Sequence, residues 1–171
     1  NEYDYFTAVD DCSADDNAGA GHLGTVEFNS STLYRYSTVN IAELMENGLN
    51  IDEVCDVLSG YLEAFIKAMP TGKQNTFANR TLPCFTYVTI REDQPINMAG
   101  AFEKAVTGNG KGYEKDSIDA FLEYTKKVYE NYAEYPKKSF VVCLDDVNTE
   151  AERVKMKDLA RLVEKEIRNY N

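Results

Sequence analysis

Polar and apolar positions alternate at the start of the chain, which is the pattern of a β-strand with one face toward a core. Tyr3 to Val9 form the first such run. The second run, from Val26 to Tyr36, is rich in β-branched and aromatic residues, which suit a pleated surface. An acidic, glycine-rich connector at residues 10–21 separates the two runs. The pattern predicts a long β-hairpin, and because ordering its projecting part costs conformational entropy, we expect a binding partner there.

Further along the chain, apolar residues recur at every third and fourth position, which predicts amphipathic helices. The pattern places helices at residues 50–69, 116–132 and 149–168, with shorter helical segments at 40–48 and 101–106. The first turns of the three long helices are expected to be capped by Asn50 or Asp52, by Asp116 or Ser117, and by Thr149.

Two more strands are predicted between these helices, at residues 82–91 and 139–144. The second is almost wholly apolar, as expected of a strand that is buried on both faces. Strands that alternate with helices predict an α/β (α+β) fold in which the helices pack on a sheet. With 171 residues, of which 43% are hydrophobic, the chain is large enough to form a single domain over residues 1–171.

The net charge argues against a free-standing nucleic-acid-binding protein. The chain has 29 acidic and 18 basic residues and a net charge of −11, whereas nucleic-acid-binding domains are usually basic. This balance favours an acidic protein–protein scaffold that does not bind nucleic acid. Net charge describes the whole surface, however, while binding depends on the local face, so both interpretations stay open.

Three further features limit the class of protein. No segment of the sequence approaches the roughly 18 apolar residues of a membrane helix, so we predict no membrane partner. The four cysteines are scattered without a C-x-x-C pair, which favours reduced thiols in a cytoplasmic protein over zinc or disulfides. His22 is the only histidine, and neither a serine nucleophile nor an acidic partner is spaced to use it.

Paired carboxylates provide the one catalytic alternative. Asp10 and Asp11 lie in the connector, and Asp145 and Asp146 follow a predicted strand, where such pairs could hold Mg²⁺ for a nuclease. Neither a phosphate-binding loop nor a D-x-D-x-D-G spacing accompanies them. We therefore assign no catalytic residue, no metal and no cofactor, and we expect a protein that is not an enzyme.

Several blocks of sequence, in a fixed order, resemble one known family. They are FTAVDD at 6–11, HLGT and EF within 22–28, YRY at 34–36, KQNTF at 73–77 and NMAGAFEKAV at 97–106. Together they resemble the CasC-type backbone subunit of Cascade, the effector complex of type I-E CRISPR systems, over nearly the whole chain. The resemblance implies the C-terminal half of a longer subunit, with a β-hairpin thumb at 5–34. Residues 37–171 would then belong to an RRM-like, ferredoxin-like palm with helical insertions.

The same resemblance implies a function in antiviral defence. The chain would be a non-catalytic subunit that binds guide RNA (crRNA) and assembles head to tail with neighbouring copies of itself and with other Cascade subunits. The bound guide would be presented to a target DNA strand. Base pairing would then read the sequence, while the protein recognises shape and phosphate.

The resemblance also implies RNA contacts along the thumb. Tyr5, Phe6 and Thr7 would lie at its base, where rings can stack on bases and a hydroxyl can bond to a phosphate or a base. His22 and Leu23 would lie at its tip, and the leucine matches one that can wedge beside displaced bases. Spacing alone leaves other roles open, because one of the two aromatic rings could belong to a core and Leu23 could simply cover its own turn.

Four further residues are candidates outside the thumb strands. Arg35 could contact a phosphate or stack on a base, or it could form a structural ion pair. Lys73 and Gln74 lie in a locally basic segment, and the resemblance implies contacts from them to the RNA backbone or to a neighbouring subunit. Lys111 is the candidate for target DNA, because related proteins carry lysines nearby, at positions that Thr107 and Asn109 occupy in this sequence.

Overall fold

A computed structural model describes residues 3–7, 22–108 and 110–169. The chain divides into a hairpin unit, formed by Asn1–Leu33 and Met69–Arg80, and a core unit, formed by Tyr34–Ala68 and Thr81–Asn171. Residues 8–21 lie outside the described residues. They include the predicted acidic connector with Asp10 and Asp11.

The hairpin unit is built on two short antiparallel strands. Strand β1 (Tyr3–Thr7) pairs with strand β2 (Leu23–Glu27), in a register that sets Tyr5 opposite Thr25. A single helical turn, α3 (Gln74–Phe77), follows Lys73, whose backbone adopts the left-handed conformation with φ 56°. No described residue of this unit is buried, so the unit has no hydrophobic core within its described part.

The core unit contains the remaining helices and a three-stranded sheet. The helices are α1 (Ile41–Glu46), α2 (Ile51–Lys67), α4 (Glu114–Asn131), α5 (Met156–Arg168) and a 3₁₀ helix at Met98–Phe102. The sheet has the order β3 (Phe85–Ile90), β4 (Lys138–Cys143) and β5 (Glu152–Arg153). Strands β3 and β4 are antiparallel, and β4 and β5 are parallel.

Two hydrophobic clusters cover the opposite faces of this sheet. Because side chains alternate along a strand, Val88 and Phe140 lie on one face, and Phe85 and Tyr87 lie on the other. The first face packs in a cluster with residues of α2 and α5, centred on the fully buried Leu159. The second packs in a cluster with residues of α4 and the 3₁₀ helix. The sheet is therefore an interior layer, and the predicted α/β class is confirmed.

Helix α2 begins as the sequence predicts. The Asn50 side chain accepts hydrogen bonds from the backbone N–H groups of Asp52 and Glu53, and the Glu53 carboxylate accepts one from the Asn50 N–H at 2.8 Å. This reciprocal capping box satisfies donors that a helix start would otherwise leave unpaired. None of the helices within the described ranges has the length and apolar character that crossing a membrane requires.

Three predicted boundaries are wrong. Strand β2 ends at Glu27, and residues 28–40 have no regular structure. Contacts with residues that are distant in the chain hold Tyr34 in this segment: its hydroxyl donates to the Asn97 side chain and accepts a hydrogen bond from the Met98 N–H. The predicted helix at 101–106 is the 3₁₀ helix at Met98–Phe102, which Asn97 caps.

The last helix also begins later than predicted. Thr149 does not cap it: its hydroxyl accepts a hydrogen bond from the Ala151 N–H within a turn, and Glu152 and Arg153 then join the sheet as β5. Helix α5 starts only at Met156. The apolar period continues across this strand, which is why the sequence gives no sign of the interruption.

Candidate nucleic-acid interface

The register of β1 and β2 sorts the side chains of the hairpin onto two faces. Paired residues share a face, and neighbours along a strand alternate between faces. We call one of them the open face; all of its residues are exposed, and they are Tyr3, Tyr5, Thr7, Leu23, Thr25 and Glu27. The opposite, covered face carries Asp4, Phe6, Gly24 and Val26.

The covered face is tied to the segment that contains α3. The Lys73 Nζ lies 2.5 Å from the Asp4 carboxylate, which also accepts hydrogen bonds from the Thr76 hydroxyl at 3.3 Å and from the Tyr5 N–H at 2.9 Å. The Lys73 ammonium lowers the pKa of the Asp4 carboxyl below its ordinary value. The rings of Phe28 and Phe77, with centroids 4.8 Å apart, make a second contact between the same two segments.

Phe6 packs within the hairpin itself. Its ring lies over Gly24 on the opposite strand, where a Cβ atom would collide with it, and its centroid is 5.6 Å from that of His22. An aromatic ring opposite a glycine covers backbone that would otherwise be bare. The Thr7 hydroxyl donates to the His22 carbonyl oxygen at 3.1 Å, which closes the described end of the ribbon. Phe6, Thr7 and His22 therefore shape the hairpin, and Thr7 also lies on the open face while Phe6 lies on the covered face.

The open face offers stacking and apolar contact. Tyr5 and Leu23 are each 68% exposed, and the register places them diagonally across the two strands. A base that stacks on an exposed aromatic ring gains about 1–3 kcal/mol, and an aliphatic side chain can wedge between unstacked bases. Within the described part of the chain, the open face is therefore a surface on which such contacts can form.

The open face has little charge with which to bind phosphate. Among the described residues of the hairpin unit, the only charged side chains are Asp4, Glu27, Lys73 and Arg80. Two of these neutralise each other, and Glu27 lies on the open face itself. Each phosphate that a cation neutralises on single-stranded nucleic acid contributes about 0.7 to the salt slope, so contacts through the open face should add little salt dependence.

Two sequence-predicted residues lie in the core unit rather than in the hairpin unit. The Arg35 Nη1 donates to the Ala68 carbonyl oxygen at 3.0 Å, and its guanidinium carbon lies 4.6 Å from the centroid of the Phe65 ring. This is a structural role, made with a carbonyl and a ring instead of the carboxylate that the sequence suggested. Lys111 is exposed in the loop before α4, between Gly110 and Gly112, whose φ angles are both positive. Asn109 lies outside the described residues.

The sheet of the core unit does not present an open aromatic platform. Phe85 and Tyr87 are partly buried, and the centroid of the Phe121 ring on α4 lies 5.5 Å and 5.6 Å from theirs. An RRM binds single-stranded RNA by stacking bases on exposed aromatic residues of its sheet. In this unit the equivalent surface is occupied by α4, so the open face of the hairpin is the better candidate.

The described part of the chain has no cluster of carboxylates that fits the nuclease alternative. Within the described ranges, no group of three or more His, Cys, Asp or Glu side chains is arranged to hold a metal ion. Asp146 forms an ion pair with Arg153. Asp10 and Asp11 fall outside the described residues.

Sequence reasoning missed the residues that tie the hairpin to its second segment. Asp4, Thr76 and Phe77 were not candidates, although they hold Lys73 and the segment around α3 in place. Asp4 is separated from Lys73 by 69 positions, so no local spacing links them. The only indication in the sequence was the alternation along the strand, which predicts that Asp4 and Tyr5 lie on opposite faces.

Comparison with known proteins decides the family. A family model described as CT1975-like protein matches residues 1–165. The chain belongs to this CRISPR-associated family. The resemblance to the Cascade backbone subunit is thereby confirmed at the level of the family. No curated protein matches the chain significantly.

Two solved structures show the same fold. One is a chain described as belonging to a CRISPR RNA-guided surveillance complex, with 29% identity and a TM-score of 0.79 over 97% of this chain. Another, from a CRISPR RNA-guided surveillance complex described as pre-nicking, has 30% identity and a TM-score of 0.79 over 96% of this chain. This CT1975-like chain spans 65% and 50% of the length of those two chains.

Proposed function

We propose that this chain is part of a guide-RNA-binding backbone subunit of a type I-E CRISPR surveillance complex, and that the open face of its hairpin contacts the RNA. The observation that carries the proposal is the exposed pair Tyr5 and Leu23 on a ribbon whose other face is partly covered by the chain's own residues. Large apolar side chains exposed together on a narrow ribbon are typical of a binding site. The similar solved structures, which are described as CRISPR RNA-guided surveillance complexes, support RNA as the class of ligand.

The proposed subunit is not an enzyme and needs no cofactor. Copies of it would assemble head to tail along the guide in the cytoplasm, together with other subunits of the complex. A repeated hairpin contact would hold the guide at intervals and leave the bases between contacts free to pair with a target DNA strand. Lys111, exposed on the core unit, remains the proposed DNA contact.

The open face predicts how RNA is held. Tyr5 would stack on a base and Leu23 would wedge beside it, while phosphate charge would be met elsewhere in the complex. This division reconciles an acidic chain with an RNA ligand. The net charge of −11 opposes binding at long range, but stacking and apolar contact do not depend on it.

Binding of a labelled single-stranded RNA tests the proposal. In the purified protein, Tyr5→Ala should weaken RNA binding by about fivefold to a hundredfold, since one base–aromatic stack is lost. The matched control is Tyr132→Ala, because Tyr132 is 90% exposed but lies at the end of α4 in the core unit. Leu23→Asp and Leu144→Asp form a second matched pair, since both leucines are exposed.

The expected result is weaker binding for the two hairpin variants alone. Equal effects of Tyr5→Ala and Tyr132→Ala would contradict the assignment of the open face. A wild-type protein that binds no RNA at any salt concentration would contradict the proposed function as a whole.

The net charge supports a second candidate, an acidic protein–protein scaffold that binds no nucleic acid. Its open face would then dock an apolar protein surface. The two candidates differ in the same assay, because the scaffold predicts no binding of RNA and no difference between Tyr5→Ala and Tyr132→Ala.

A further inference from the structure

We propose that Asp4 and Lys73 are positioning residues that restrict RNA to one face of the hairpin, and that Lys73 is not a phosphate ligand. This inference rests on the proposed function, since it states which side of the hairpin meets the RNA. It reverses the role that the sequence suggests for Lys73 and gives a role to Asp4, which the sequence did not single out.

The ion pair of Asp4 with Lys73 lies on the covered face of the hairpin. Asp4 alternates with Tyr3 and Tyr5 along β1, so its side chain lies on the face opposite to theirs. Lys73 reaches that covered face and lies 2.5 Å from the Asp4 carboxylate. A phosphate on the open face would therefore lie across the ribbon from the Lys73 ammonium.

The Asp4 carboxylate accepts hydrogen bonds from three groups. Besides Lys73, the Thr76 hydroxyl and the Tyr5 N–H donate to the same carboxylate. The Tyr5 N–H bond is made by the backbone of the residue whose ring faces the other way. Asp4 thus links the segment around α3 directly to the part of β1 that carries the proposed stacking ring.

The described part of the hairpin unit has no hydrophobic core. Since no described residue of the hairpin unit is buried, its order depends on strand pairing and on ties of this kind. The only ring pair between the same two segments is Phe28 with Phe77, among the described residues. Without the ion pair, the segment around α3 would be held less firmly, and the hairpin would lose a fixed face to present.

Charge reversal separates a positioning role from phosphate binding. Asp4→Lys removes a negative charge and adds a positive one, so a phosphate-binding role for this cluster predicts tighter RNA binding. The positioning role predicts the opposite: Asp4→Lys and Lys73→Asp should each weaken binding of a labelled single-stranded RNA by about threefold to fivefold, the effect expected of a partly exposed ion pair. The double variant Asp4→Lys/Lys73→Asp restores the pair in reverse and should bind within about twofold of wild type.

The salt dependence of binding supplies a readout that loss of stability alone would not give. Lys73→Gln should weaken binding without changing the slope of log affinity against log salt, whereas loss of a phosphate contact would reduce that slope by about 0.7. Circular dichroism of each variant checks that the core unit stays folded. Lys67→Gln is the matched control, because it removes a lysine that is ion-paired with Glu63 in the core unit, and it should change neither the affinity nor the salt slope.

The outcomes are distinguishable. Tighter binding by Asp4→Lys, a slope reduced by about 0.7 in Lys73→Gln, or no recovery in the double variant would each overturn this inference while wild-type RNA binding leaves the proposed function intact. If the wild-type protein binds no RNA, the proposed function fails, and this inference fails with it. Weaker single variants, an unchanged slope and recovery in the double variant would support it.

Discussion

The core unit and the hairpin unit are each stabilised internally by different kinds of contact. The core unit buries a cluster of residues from α2, α5 and the sheet, including Leu159 and Phe140, and a second cluster between the sheet and α4. The hairpin unit buries none of its described residues. These residues are held by strand pairing, by the ion pair of Asp4 with Lys73, and by the ring contacts of Phe6 with His22 and of Phe28 with Phe77. Stability therefore resides in the core unit, whereas the hairpin carries the exposed side chains of Tyr3, Tyr5 and Leu23 together on one face.

Because of this difference, aromatic residues have different roles in the two units. An aromatic ring in the core unit, such as Phe121, fills space between layers. An aromatic ring on the open face, such as Tyr5, is 68% exposed instead. A segment with few buried contacts changes conformation at a low cost in free energy, which is a useful property for a hairpin that binds a flexible ligand.

The largest expected contrast comes from one substitution made in both units. Leu159→Ala removes a fully buried side chain and should lower the free energy of unfolding by about 2–5 kcal/mol. Leu23→Ala removes an exposed one and should change it by less than about 0.5 kcal/mol. Urea unfolding monitored by circular dichroism measures both. Similar losses for the two variants would mean that the hairpin has a core of its own.

A smaller effect on stability tests whether Arg35 has a structural role or binds RNA. Arg35→Ala removes the hydrogen bond to the Ala68 carbonyl and the contact with the Phe65 ring, and should cost about 1–2 kcal/mol of unfolding free energy. RNA affinity should stay within about twofold of wild type, because Arg35 is engaged within the core unit.

The control for this experiment is Arg161→Ala. Arg161 is exposed on α5 and reaches Asp158 only at 3.8 Å, so its loss should cost less than about 0.5 kcal/mol. A large loss of RNA affinity in Arg35→Ala, with no loss of stability, would restore Arg35 as an RNA ligand.

The smallest expected effect is the titration of the ion pair on the covered face. Because Lys73 lowers the pKa of Asp4 below its ordinary value of 3.8, the pair stabilises the folded chain above that pH and is lost as the pH falls through the lower folded-state pKa. Carboxyl NMR should give a midpoint for Asp4 below 3.8 in the wild type.

In Lys73→Gln the Asp4 midpoint should rise toward 3.8, since the ammonium group that stabilises the Asp4 carboxylate is removed. The Asp93 carboxyl provides the control, because its own pKa is lowered by Arg91 in the core unit. Its midpoint should not change in Lys73→Gln. An Asp4 midpoint that is the same in both proteins would mean that the pair does not form in solution.

The sequence predicts the core unit better than the hairpin because the two carry different signals. The period of three and four residues found α2 and α4, and the cap at Asn50 placed the start of α2 correctly. Strand β5 escaped notice because two residues are too few to show alternation. The end of β2 was missed because Tyr34 looks like a strand residue but bonds to Asn97 through its hydroxyl.

For the candidate site, alternation could sort Tyr5 from Asp4, but it could not say which face would be covered. That depends on Lys73, Thr76 and Phe77, which are distant in the chain and have no shared pattern with β1. The resemblance to a family predicts RNA contacts along the hairpin, which stay a prediction. Only the pairing register shows that Tyr5 and Lys73 lie on opposite sides of it.

Ultraviolet crosslinking of the RNA-bound protein, followed by mass spectrometry of the crosslinked peptides, tests the central claim most directly. Aromatic rings stacked on bases crosslink readily, so the position of the crosslink identifies the face that meets the RNA. We expect crosslinks at Tyr5 or Tyr3 on the open face and none at the exposed Tyr132 of the core unit. Crosslinks confined to Tyr132 and its neighbours, with the hairpin tyrosines unmodified, would contradict the account.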